Sequence, residues 1–161
     1  MKKTILLGVV IILTILTTQA QSNESLMNIN AGIGGISGTN SIATPSFNVS
    51  YEYFLSDTFS IGVLGGYSTI IEPEEFGQEE EKTGGINIGG IANYYISNSD
   101  NFDLYIGTIL GYDGHKYEYS DGGLLYEFHV GARYTISKNM SLNSELGWGL
   151  ALLKVGISFK L

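Results

Sequence analysis

Cysteine is absent from this 161-residue chain, so no disulfide can brace an exported domain and no thiol can carry a lipoprotein anchor. Proline occurs only twice. Positive charge is also scarce: 8 Lys and Arg stand against 16 Asp and Glu, a net charge of -8. Such a balance argues against nucleic acid and against attraction to an anionic surface. Long apolar runs are missing beyond the N-terminus, so any later membrane crossing must use strands. Glycine, by contrast, numbers 22 and tyrosine 11, a composition unlike that of a helical protein.

The one apolar run, Ile5 to Leu16, follows Lys2 and Lys3 and precedes Thr18-Gln19-Ala20. A basic start, an apolar stretch and small residues at the two positions a signal peptidase reads make a secretory signal. The run falls short of the roughly 20 residues of a spanning helix. Residues 1-20 are therefore expected to be a signal peptide cleaved after Ala20, and 21-161 one domain. Removing Lys2 and Lys3 takes the charge from -8 to -10.

The rest of the chain alternates with a period of two, the mark of strands with two unlike faces. From Leu124 to Ile136 the apolar set is Leu124, Tyr126, Phe128, Val130, Ala132, Tyr134 and Ile136. Between them lie Leu125, Glu127, His129, Gly131, Arg133 and Thr135. The pattern restarts over Met140–Leu150 and again over Leu153–Leu161, and it recurs upstream over Met27–Gly34, Phe47–Leu55, Phe59–Thr69, Ile86–Ile96 and Phe102–Tyr112. One face is long, apolar and aromatic; the other carries charge and glycine. A transmembrane barrel with lipid outside and a polar lumen inside explains that pairing. The expected fold is all-β: an eight-stranded antiparallel up-and-down transmembrane β-barrel with short periplasmic turns and longer extracellular loops.

Connection lengths support this orientation. Ser56-Asp57, Ser97 to Asn101 and Ser137 to Asn139 read as tight turns. Gly35 to Pro45, Glu72 to Gly84 and Asp113 to Gly123 read as loops, with only Leu150 and Ala151 left for the last hairpin. Outward aromatics fall in two belts, where amphipathic rings meet lipid headgroups. Near the turns are Tyr53, Phe59, Tyr94, Phe102, Tyr134 and Phe159; near the loops are Phe47, Tyr67, Tyr112, Tyr126 and Trp148.

The run from Phe128 to Gly147, FHVGARYTISKNMSLNSELG, resembles the GARY…S.N.SL..E.G signature of small outer-membrane barrels. The family is that of the OmpA transmembrane domain and the OmpX-like proteins, and Val155 to Leu161 looks like its closing strand. The resemblance covers the last third of the chain. It implies residence in the cell outer membrane, contact with its lipid and lipopolysaccharide, and recognition of the C-terminal strand by the barrel-assembly machinery. Two departures are Leu161 in place of a terminal Phe, and no peptidoglycan-binding domain after the barrel.

Candidate functional residues fall into two groups. Glu52, Asp103, Glu127, Arg133, Glu145, Lys154 and Lys160 point inward with His129, as a charge network that must pair to be buried. Turn geometry places Arg133 opposite Asn143 and diagonal to Glu145. An eight-stranded interior is only wide enough for side chains, so a plug is expected ahead of a narrow ion channel. The second group is an acidic loop, Glu72, Glu74, Glu75, Glu79, Glu80 and Glu81 around Phe76, suited to a basic partner or to divalent-bridged lipopolysaccharide. No catalytic set is expected: His129 is inward with Gly131 beside it, and His115 sits in a loop with Asp113 and Lys116, with no positioned serine and base. Asp113, His115, Glu118 and Asp121 match no calcium-loop spacing. The expectation is a monomer, without cofactor, metal or enzyme activity, serving envelope structure and surface display, with adhesion as one use. A soluble lipocalin-like barrel is the third reading, disfavoured because lipocalins place apolar residues inside.

Overall fold

The computed structural model describes residues 24–37, 41–71, 82–99, 101–117 and 120–161. Within them the chain forms β1 (Ser25–Ile33), β2 (Gly35–Ser37), β3 (Ser41–Ser56), β4 (Phe59–Ile71) and β5 (Lys82–Asn98). Then follow β6 (Phe102–Tyr117), β7 (Ser120–Ser137), β8 (Met140–Trp148) and β9 (Leu153–Lys160). From β2 to β9 each strand pairs antiparallel with the next, and β1 pairs with both β3 and β9, which closes the sheet on itself. β1 and β2 are two halves of one stave, broken at Gly34 where φ is 65°. The result is an all-antiparallel eight-stave barrel. Closure removes the free edges that would otherwise seek partners, and it satisfies the backbone without water.

Burial follows the parity of the sequence. Val49, Val63, Ile88, Leu110, Val130 and Leu146 are exposed on the outer wall, while Asn48, Leu64, Ile109, Glu127 and Arg133 are buried inside. Inside-out polarity of this kind suits a wall that meets hydrocarbon. Two apolar layers cross the lumen. Leu26, Phe54, Tyr95 and Tyr105 lie toward the short-turn end. Leu64, Ile91, Ile109, Leu125 and Leu150 lie toward the other.

Three expectations change here. The segments read as loops at 35–45 and 113–123 are largely strand: β2, the start of β3, the end of β6 and the start of β7 run through them. Backbone pairing continues after the side-chain alternation fades, since the ladder needs no apolar residue. Secondly, Leu150 is buried rather than outward. Gly149 adopts φ 131° and turns the chain so that Leu150 tucks under the rim. Thirdly, the rim is uneven. The β7–β8 ladder runs only as far as Phe128↔Trp148, while the β6–β7 ladder continues to Tyr117↔Ser120. The wall β3–β7 therefore rises above the low wall of β8, β9 and β1. At the low point Leu152 N–H donates to the carbonyls of Ile33 and Gly34.

Candidate functional site

The lumen holds three tiers of polar side chains, each assembled by register across neighbouring staves. The tier nearest the short turns centres on Glu52. Its carboxylate accepts from Asn28 Nδ2 at 2.6 Å, Ser60 Oγ at 2.8 Å, Asn93 Nδ2 at 2.8 Å and Tyr95 Oη at 3.3 Å. Arg133 completes it, with Nη2 3.8 Å from Glu52 and Nη1 3.5 Å from Asp103. The same guanidinium donates to Tyr95 Oη at 3.1 Å and Ser158 Oγ at 3.2 Å. Its Cζ stands 5.7 Å from the Tyr95 ring centroid and 5.2 Å from that of Tyr105. Arg133 is opposite Asp103 on β6 and opposite Asn143 on β8, so two neighbouring staves aim it across the lumen.

The middle tier joins Glu127 and His129 of β7, Glu145 of β8 and Lys154 of β9. Glu127 and His129 are two residues apart and share a face, while Glu145 and Lys154 are direct partners in the ladder. Lys154 Nζ lies 2.5 Å from Glu127 Oε1 and 2.6 Å from Glu145 Oε2. His129 Nδ1 is 3.0 Å from Glu127 Oε1 and Nε2 is 2.9 Å from Asn93 Oδ1. Tyr105 Oη donates to Glu145 Oε1 at 2.8 Å. Bonds of this density are what buried charge requires.

Two sequence expectations are corrected in these tiers. Arg133 does not turn to Glu145; it reaches across the lumen to Glu52 and sideways to Asp103 on the neighbouring strand, and Glu145 belongs to Lys154 and Tyr105. Lys160 is not lumenal. It sits at the rim, half exposed, with Nζ 2.6 Å from the equally exposed Glu24. His129 takes its place in the interior, where both ring nitrogens face acceptors.

The third tier, toward the loop end, was not expected. His115 lies in β6, buried, and not in a solvated loop. Its Nδ1 bonds the Asp113 carboxylate, and Nε2 faces Ser68 O at 2.9 Å and Ser68 Oγ at 3.3 Å. Asn87 Nδ2 donates to Ser68 Oγ at 2.7 Å. A serine, a histidine and an aspartate thus meet, although none is near another in sequence except Asp113 and His115. Nε2 stands closer to the Ser68 carbonyl, at 2.9 Å, than to the Ser68 hydroxyl, at 3.3 Å, so the carbonyl competes for the nitrogen that a general base would turn to the hydroxyl. Strand parity carries the signal, since Gly111, Asp113 and His115 continue the inward row of Tyr105 and Ile109. The reading of Asp113 to Gly123 as a loop hid it.

Glycines make room for these large inward groups. A Cβ on Gly131 would meet the Tyr105 ring, one on Gly107 would meet His129 and Asn93, and one on Gly85 would meet the His115 ring, with Cγ at 2.7 Å. Their value lies in close approach, with no special backbone angle required.

The outer wall carries the aromatic rows. Tyr94, Phe102 and Tyr134 are exposed near the short turns, with Tyr53, Phe59 and Phe159 partly so. Phe47, Tyr67, Tyr112, Tyr126 and Trp148 are exposed toward the loop end. The proposed signal peptide, residues 1–20, and the acidic residues Glu72, Glu74, Glu75, Glu79, Glu80 and Glu81 lie outside the described residues, as does Glu118.

No protein-family model and no curated protein matches the chain. Solved structures do match it. The outer membrane protein OprG from Pseudomonas aeruginosa superposes with TM-score 0.60 at 8% identity, over 87% of this chain and 96% of that one. The N-terminal β-barrel domain of Pseudomonas aeruginosa OprF gives 0.59 at 14%, over 87% and 98%. The Yersinia pestis outer membrane protein Ail, in a phospholipid bilayer nanodisc, gives 0.51 at 15%, over 87% and 100%. The fold is that of the small eight-stranded outer-membrane barrels.

Proposed function

We propose that this chain is an integral outer-membrane protein, exported with cleavage after Ala20, that serves envelope structure and surface display and carries no solute. One observation supports this most directly. The outer wall is apolar between two aromatic rows, while the lumen is crossed by bonded charge and by two apolar layers. A wall of that kind belongs in hydrocarbon, and an interior so filled leaves no path for a solute. Short turns then face the periplasm and the tall wall of β3–β7 faces outward, as in barrels of this type. The acidic residues from Glu72 to Glu81 would add attraction for a basic partner or for cation-bridged lipopolysaccharide. Assembly machinery would read the closing strand, Val155 to Leu161.

The reading is tested on intact cells and on purified protein. Envelope fractionation with mass spectrometry should find the chain in the outer membrane beginning at Gln21. An epitope after Gln78 should label intact cells and one after Lys138 should not. Purified barrel in planar bilayers should show no large steady conductance. Recovery from the soluble periplasm, inverted labelling, or a stable ion-selective current would each overturn the corresponding part.

A further inference from the structure

We propose that the middle of the lumen is a divalent transition-metal site of two carboxylates and one imidazole, filled in the resting barrel by the chain's own cation, the Lys154 ammonium. Glu127, His129 and Glu145 each offer a ligand atom, all three residues are buried, and those atoms lie within 4.8 Å of one another. Carboxylate and imidazole donors in one small cluster suit zinc and its neighbours in the first transition row. Such a set on β7 and β8 needs only modest side-chain rotation to converge on one ion.

Two further features mark this as a built site. The first is the outer shell. A metal-binding histidine generally gives its far nitrogen to an acceptor, and ligating carboxylates are themselves hydrogen-bonded. Here His129 Nε2 faces Asn93 Oδ1 at 2.9 Å, and the Asn93 amide is fixed by Glu52 at 2.8 Å. Glu145 Oε1 is held by Tyr105 Oη at 2.8 Å, and Glu127 Oε2 accepts from Ala151 N at 3.3 Å. Each ligand is thus oriented from behind. The second is the occupant. Lys154 comes from a third strand, β9, and places Nζ between the two carboxylates at 2.5 and 2.6 Å. It stands where a metal ion would draw both oxygens together. A tethered ammonium cannot leave, so the native barrel folds without metal and holds the site closed against it.

The test removes the tethered cation and asks whether a free one replaces it. Lys154→Met keeps most of the stem and deletes the charge. Wild type and variant are refolded from urea into detergent with Co2+ or Zn2+, then dialysed against a weak chelator. The variant should retain about one metal ion per chain, with a visible Co2+ band of low-symmetry coordination. Wild type should retain at least 100-fold less under the same conditions. Adding His129→Gln or Glu145→Gln to Lys154→Met removes a ligand and should weaken retention by more than the roughly 10–100-fold that loss of an outer-shell partner costs. The acidic residues from Glu72 to Glu81 are the same in all four proteins, so metal held there would not respond to these changes. A variant that folds only when metal is present supports the site. Folded variant without retained metal, a variant that folds in neither condition, equal retention by wild type, or retention indifferent to His129 and Glu145 would each overturn it.

Discussion

Val130→Arg puts the inside-out polarity of the wall to a quantitative test. Val130 is about half exposed on the outer face, opposite Ile106 on β6 and Leu146 on β8. Tyr126 and Tyr134 share its strand and face, four residues to either side. At about 3.4 Å per residue and a tilt of about 40°, four residues are roughly 10 Å of height. The two tyrosines are then about 20 Å apart, within an apolar band about 25 Å tall, and Val130 is midway. Arginine at the midplane of such a band costs about 2–4 kcal/mol, and near the interface about 0–1 kcal/mol. Tyr134→Arg is thus the matched control, on the same strand and face but at the belt. Reversible urea unfolding in lipid vesicles, followed by tryptophan fluorescence and gel mobility, gives both values. Equal costs for the two variants, or a neutral Val130→Arg, would refute the assignment of that face to lipid.

Other expectations rest on the lumen. Arg133→Ala strands Glu52 and Asp103 and should cost about 3–5 kcal/mol in a dry interior, less where water enters. A double-mutant cycle with Glu52→Gln should show that the two changes are less than additive, since they share one network. Gly131→Ala drives a methyl into the Tyr105 ring and should cost about 1–3 kcal/mol by the same unfolding assay. Leu150→Ala removes a member of the loop-end apolar layer and should cost about 2–5 kcal/mol, whereas an outward Leu150 would give almost nothing. A serine-directed fluorophosphonate should leave Ser68 unlabelled; labelling that disappears with His115→Gln would mean that the Ser68–His115–Asp113 group is a working nucleophile.

Alternation along the chain fixes which residues face out and which face in. A strand has a side-chain period of two, so parity needs no knowledge of partners, and once one face is apolar a slip of one residue would invert every position. Val130, Leu146, Glu127, Arg133 and Lys154 fall where alternation places them, and the three tight turns stand where Asp57, residues 97–101 and Lys138-Asn139 suggest. Strand ends were less legible. β6 and β7 continue past Asp113 and Gly123 because ladder hydrogen bonds come from the backbone, which leaves no trace in side-chain type. Partner choice inside the lumen was beyond the sequence altogether. Diagonal spacing suggested Glu145 for Arg133, but long side chains cross a narrow interior, and closure brings β3 opposite β7. Only that closure gives Arg133 to Glu52 and leaves Lys160 to Glu24 at the rim, whereas Lys154 meets Glu127 and Glu145 through the consecutive strands β7, β8 and β9. Parity is a local property of the chain, whereas contact across a barrel depends on how many strands close it and at what stagger.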